Sequence, residues 1–287
     1  MMSEEKKLEK KFRKFINEEN MNIIYKNKFS VKEYDKIREN IYKSGIMHLK
    51  LKQTDTTLKK VKKIASQYAQ IVVDNDTDLQ GYYIHNKLYI NDSLPEALQI
   101  TTIIHELVHQ IYAELFEQII KQSLNIHDEY IIQSFIMFML NNSIENRAAT
   151  EYISYIIEGR FTPPECQNFI PFLQLLMQLQ IDVEHSKQYF IYGHELSHDI
   201  QDILDKIITE DLKEDIRQQF IKDDIEKYNQ QLKFDYSDER FSPEEKLEIM
   251  NEMVLFIFDY FLNGDGRIDE LIENYDIITN KKKLTPT

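Results

Sequence analysis

His105, Glu106 and His109, in the run Ile103-Ile104-His105-Glu106-Leu107-Val108-His109-Gln110, set two imidazoles and a carboxylate at H-E-x-x-H spacing. On a helix, residues four apart lie nearly above one another, about 6 Å along the axis. Both imidazoles can therefore converge on one divalent cation at roughly 2.0–2.1 Å. Glu106 then stands beside them, where a general base takes a proton from water. The chemistry this spacing suits is metal-assisted hydrolysis, with Zn²⁺ as the expected cation. The pattern occurs a second time, as His194-Glu195-Leu196-Ser197-His198.

A catalytic Zn²⁺ usually takes three protein ligands and keeps one position for water. The residues after His109, Gln110-Ile111-Tyr112-Ala113-Glu114-Leu115, hold neither a glycine nor a further histidine, so the third ligand is expected on another helix. The segment from Ser143 to Ile153 offers two candidates, Glu145 and Glu151. Asn142 and Glu145 also have capping-box spacing, which gives Glu145 a second reading as a helix start.

The elements that must position these residues can be read from the pattern of apolar positions. Ser93-Leu94-Pro95-Glu96 combines an N-cap serine, an early proline and a capping-box glutamate, so a helix starts there. Ile100, Ile103, Ile104, Leu107, Val108, Ile111, Leu115 and Ile119 then form a broad apolar face that carries His105 and His109 into a core. Before this helix, Ile71-Val72-Val73 reads as a short strand, Asp74-Asn75-Asp76 as a turn, and Gly81 to Ile90 as a hairpin about Asn86. Alternation at Met47, Leu49 and Leu51 also has strand character. Residues 1–45 read as charged amphipathic helices ending near Gly45. Helical patterns follow from Asp128 to Glu158 and, after Gly159-Arg160-Phe161-Thr162-Pro163-Pro164, almost to the end, with Asp199 to Tyr228 as one long solvated helix. The expected class is α+β, predominantly α, with a small mixed sheet before the H-E-x-x-H helix and a helical C-terminal half.

Here the chain resembles the gluzincin branch of the zincins, in which a helix carries the third ligand in an E-x-x-A-D-like pattern. It is similar to the families of integral-membrane endopeptidases and phage-repressor-cleaving peptidases. Glu145-Asn146-Arg147-Ala148 fits that pattern, and the hairpin ending in Lys87-Leu88-Tyr89-Ile90-Asn91 before H-E-L-x-H is similar to the second of these families. The resemblance covers about residues 76–158. It departs at Ala149, where the family has an Asp or Asn that supports a ligand histidine, so another group must do so here. The resemblance implies a zinc metalloendopeptidase acting on a protein or peptide substrate. His105, His109 and Glu145, with Glu151 in reserve, would hold Zn²⁺, and Glu106 would be the general base. The pattern along the chain divides it into an N-terminal helical extension at 1–45, an expected zincin-like catalytic core at 46–185, and a helical region at 186–287 packed on that core.

The second H-E-x-x-H lacks a preceding hairpin and a following E-x-x-A segment, although Leu115 with Leu204 and Ile119-Ile120 with Ile207-Ile208 also match between the copies. A full duplication is not expected. Three readings stay open for it: a structural role, an independent metal site, or an accessory role at the first site. In the accessory role one of Tyr189, Tyr192, His194 or His198, with Tyr192 and His198 foremost, would stabilise an oxyanion.

Composition excludes little but is consistent. The net charge of −14 argues against a nucleic-acid surface. The longest apolar runs are about half of the ~20 residues a membrane-spanning helix requires, so no membrane span is expected. The single cysteine, Cys166, rules out an intrachain disulfide. The charged start shows no Sec-type signal, which fits a cytoplasmic protein or one secreted by another route. Asn263-Gly264-Asp265-Gly266-Arg267-Ile268-Asp269 looks like the middle of an EF-hand loop. Phe261 and Ile272 stand where its first and last carboxylates belong, so it reads as a turn between helices. His48, His85, His127 and His185 read as solvated or satisfied. Two other classes fit the same residues: a non-catalytic zincin-fold regulatory or interaction module, and a helical interaction protein whose H-E-x-x-H matches are accidental. Oligomeric state and substrate identity leave no mark in the sequence.

Overall fold

A computed structural model describes residues 4–26, 30–75, 79–181, 183–228 and 241–281. Asp76 of the expected turn and the side chain of His185 lie outside the described residues. The order of elements is α1 (Glu4–Phe15), α2 (Glu18–Lys26), α3 (Val31–Met47), α4 (Thr57–Ala65), β1 (Gln70–Val73), β2 (Gly81–Ile84), β3 (Lys87–Ile90), α5 (Glu96–Leu124), α6 (Glu129–Asn142), α7 (Ile144–Phe161), a 3₁₀ turn (Pro164–Cys166), α8 (Ile170–Gln178), α9 (Val183–Asp205), α10 (Glu210–Lys222), α11 (Pro243–Asn263) and α12 (Ile268–Ile278). The chain is thus predominantly helical with one small mixed sheet, and among the described residues no helix is long and apolar enough to cross a membrane.

Several boundaries differ from the sequence pattern for identifiable reasons. The N-terminal helices do end near Gly45, with α3 running on to Met47, and the Tyr68 hydroxyl lies where a Cβ on Gly45 would be. Residues 48–56, with their alternating leucines, form no strand. The helix expected from Asp128 to Glu158 breaks at Ser143 into α6 and α7. The helix expected from Asp199 to Tyr228 is the end of α9 and a separate α10, whose Thr209 N-cap accepts from Leu212 N–H. At the start of α5, the Ser93 hydroxyl bonds Asn91 rather than the helix. The carboxylate of Asp223 instead accepts the Ala97 N–H at 2.8 Å, placing a negative charge at the positive end of the helix dipole. A cap supplied from over a hundred residues away has no local signature.

Two compact units emerge, and neither is contiguous in sequence. The expected bounds at residues 45 and 185 run along the chain, whereas the units gather distant segments. One unit comprises Met1–Ile37, Ala113–Ser143 and Ser242–Thr287. Its core includes Phe15, Phe135 and Phe258, with ring centroids 5.2–5.4 Å apart. In this unit α11 begins with a full capping box of Ser242 and Glu245 around Pro243. The glycine-containing segment after Asn263 is the turn between α11 and α12.

The other unit, Arg38–Tyr112 with Ile144–Phe241, contains the sheet and the motif helix. Strand order is β1-β3-β2, with β1 parallel and β2 antiparallel to β3. The β2–β3 hairpin turns at His85 and Asn86, and Asn86 takes φ 63°, a left-handed conformation asparagine tolerates. Gln110 of α5 holds this turn: its Oε1 accepts the Asn86 N–H at 2.9 Å, and its Nε2 donates to Asn86 Oδ1 at 3.2 Å. Ile100, Ile103, Ile104, Leu107, Val108 and Ile111 are all buried on α5. The helix α7 packs closely on α9 because Gly193 has no side chain: a Cβ there would meet Tyr152 Cδ1 at 3.2 Å and the Ala149 carbonyl at 3.4 Å. Tyr152, Phe172 and Phe190 complete that contact in a buried aromatic cluster.

Candidate metal centre

The helix α5 places His105 and His109 one turn apart and buried, with ring centroids 5.2 Å apart. Facing them from α7 is the Glu151 carboxylate. One oxygen lies 3.3 Å from His105 Nε2 and the other 3.6 Å from His109 Nε2. Ligand atoms of His105, His109 and Glu151 all lie within 4.8 Å of one another, and among the described residues this is the group of three or more such side chains that could hold a metal ion.

Glu145, expected as the third ligand, is not part of this group; it is exposed in the first turn of α7. Glu151, six residues later, lies about 9 Å further along the axis and about 120° around it, and so points elsewhere. The reserve residue is the one the fold brings to the histidines. Ala149, where the resembling families carry a supporting side chain, lies instead on the α9 face of α7 against Gly193.

The support for His105 comes from Glu158, whose Oε2 lies 2.9 Å from Nδ1. Sequence reasoning missed this residue, although Glu151, Tyr155 and Glu158 stand at i, i+4 and i+7 and therefore on one helical face. That face is turned about 150° from the one on α9, so α7 is shared between its aromatic cluster and the motif helix. Tyr155 sets its ring edge against His105, with centroids 4.8 Å apart at 78°. From the sheet, Tyr83 lies parallel to His109 at 6.0 Å, and its hydroxyl is 3.0 Å from Nδ1 of the buried His85. The latch between Gln110 and Asn86 fixes this hairpin beside the motif.

Electrostatics distinguish the buried groups. Burial, with the Glu151 and Glu158 charges adding to it and His105 opposing, pushes the Glu106 carboxyl up to about 8. Burial pushes His109 down to about 4, against the attraction of Glu151. Burial alone would raise Glu151, but His109, the hydrogen bond with His105, and the charges of His105 and Arg147 bring it down to about 2. Burial also opposes the charged form of His105, yet hydrogen bonds with Glu151 and Glu158 hold it well above its ordinary value. The site therefore presents an ionised carboxylate and a neutral imidazole, with a second carboxylate orienting the other ring.

The residues expected to assist from the second motif do not join this cluster. Tyr192 is fully buried, and its side chain bears on the Tyr112 hydroxyl in the core between α5 and α9. His198 is exposed and His194 half-buried, and their Nε2 atoms face each other at 3.4 Å. Helical geometry gives the reason: Phe190, Gly193, Ser197 and Ile200 form the buried face of α9, and His198 lies about 140° around from Gly193. Tyr189 is half-buried on the same helix.

Comparison with protein-family models, with curated proteins and with solved structures finds no match to this chain.

Proposed function

We propose that the chain is a zinc-dependent metallopeptidase with a zincin-like core. The observation carrying this reading is the Glu151 carboxylate, which bridges toward the outer nitrogens of both H-E-x-x-H imidazoles while Glu158 orients His105. Two imidazole nitrogens and one carboxylate oxygen make a donor set suited to Zn²⁺ with a coordination position left open. His105, His109 and Glu151 would hold the ion, and when bound it supplies Lewis acidity toward a peptide carbonyl and toward water.

Glu106 is the general base. Its buried carboxylate takes a proton from the water that adds to the carbonyl carbon, and delivers it to the departing amine nitrogen as the C–N bond breaks. Glu106 is buried directly beside His105 on the same helix, which suits a group that must both accept and return a proton at the metal. The strand β2 is the edge of the sheet next to β3, and Tyr83 on it stacks against His109. An extended substrate pairing with β2 would run beside the metal ligands.

The test uses purified chain, metal analysis and cleavage of a proteome-derived peptide library. Glu106→Gln is expected to keep zinc and lose cleavage. Glu151→Ala is expected to lose zinc, and Glu145→Ala to retain both. Cleavage that survives in Glu106→Gln, or zinc content unchanged in Glu151→Ala, overturns the reading.

A further inference from the structure

The second H-E-x-x-H takes no part in the site above, yet its two imidazoles are arranged. We propose that His194 and His198 form a separate, solvent-open site for a divalent transition-metal cation of the Zn²⁺ class. The two rings stand on successive turns of α9 with centroids 4.9 Å apart at 87°, and their Nε2 atoms are 3.4 Å apart. Two Zn–N bonds of about 2.0–2.1 Å meeting at a tetrahedral angle hold their nitrogens about 3.3–3.4 Å apart. At that separation the rings also make a long hydrogen-bond contact, which a cation between them would replace. The spacing accommodates two ligands sharing a cation.

The surroundings set what kind of site this is. The next residue along the same stripe, one turn beyond His198, is Asp202. Its carboxylate is held by Arg38 at 2.9 Å, and Arg38 also reaches Asp199 at 3.3 Å. Arg38 is thus neutralised by two carboxylates, and one oxygen of Asp202 is engaged by it. The cation would have two protein ligands, with its remaining positions open to water or to donor atoms of a bound molecule. The overall charge of −14 favours accumulation of cations at such a surface. With only two ligands, one of them exposed, this site binds more weakly than His105, His109 and Glu151. It does not depend on the hydrolytic reading of that first site.

The experiment is calorimetric titration of chelator-stripped full-length chain with Zn²⁺ alone, accompanied by far-ultraviolet circular dichroism to confirm folding. The wild type is expected to bind two equivalents, one tight and one weaker. H198A and H194A, the former at an exposed position, are each expected to lose the weaker equivalent and keep the tight one. The H105A/H109A double variant is expected to lose the tight equivalent and keep the weaker one. A weaker step that persists in both H194A and H198A, or a folded wild type that binds a single equivalent removed by H105A/H109A, overturns the proposal. Failure of the first-site reading shows separately, as tight binding that survives H105A/H109A.

Discussion

Glu158 Oε2 lies 2.9 Å from His105 Nδ1, on the opposite side of the imidazole from the nitrogen that faces Glu151. A carboxylate in this position fixes the ring orientation and raises the basicity of the ligating nitrogen. Glu158→Gln retains the shape of the side chain but not its charge. It is expected to weaken zinc binding by about 10–100-fold. Chelator competition on the folded variant measures this, and unchanged affinity would show that the contact does not support the ligand.

Gly193 is the point where α9 comes closest to α7. A methyl group there would press on Tyr152 and the Ala149 carbonyl, so Gly193→Ala requires a shift of a few tenths of an ångström, whose cost is offset by the ~1 kcal/mol that alanine gains over glycine inside a helix, and a net change within about 1 kcal/mol is expected. Gly193→Leu is expected to cost more and, because α7 also carries Glu151 and Glu158, to reduce zinc content. Thermal melting and metal analysis of the two variants test this together; a Leu variant as stable as wild type would show that the helices are not held at this distance.

Gln110 ties the hairpin to the motif helix through paired hydrogen bonds with Asn86. Asn86 is exposed, so water can replace part of what is lost, and Gln110→Ala is expected to cost about 1 kcal/mol. Its local consequence is larger than its global one. Amide exchange across Gly81–Ile90 should accelerate relative to α5, and uniform exchange in both elements would argue against a latch.

Glu114, on the part of α5 that belongs to the other unit, has its carboxyl raised from 4.5 to about 7 by burial, with Glu117 adding to the rise and Lys121 opposing it. Between these values the folded chain holds a proton that the unfolded chain has released, so stability is full below about 4.5 and falls as pH rises through about 7. The loss is on the order of 3 kcal/mol. Glu114→Gln removes this component. Denaturant titrations at pH 5 and pH 8 should show the variant gaining on the wild type at the higher pH, and a pH-independent difference would exclude it.

The sequence by itself determined the parts of this protein that depend on neighbours along the chain. The spacing of His105, Glu106 and His109, the apolar face of α5, and the hairpin about Asn86 each follow from helical or strand periodicity. So does the turn between α11 and α12. The tertiary structure decided everything that depends on which face of one element meets another. The choice of Glu151 over Glu145 turns on the rotation of α7, which is set by Ala149, Tyr152 and Ile153 packing on Gly193, some forty residues away. The role of Glu158, the Asp223 cap on α5, the stacking of Tyr83 on His109 and the outward stripe of His194 and His198 have the same origin. Each is a contact or orientation imposed by burial of the opposite face of its own helix or strand. Periodicity shows which side chains share a face, but only packing fixes what that face meets.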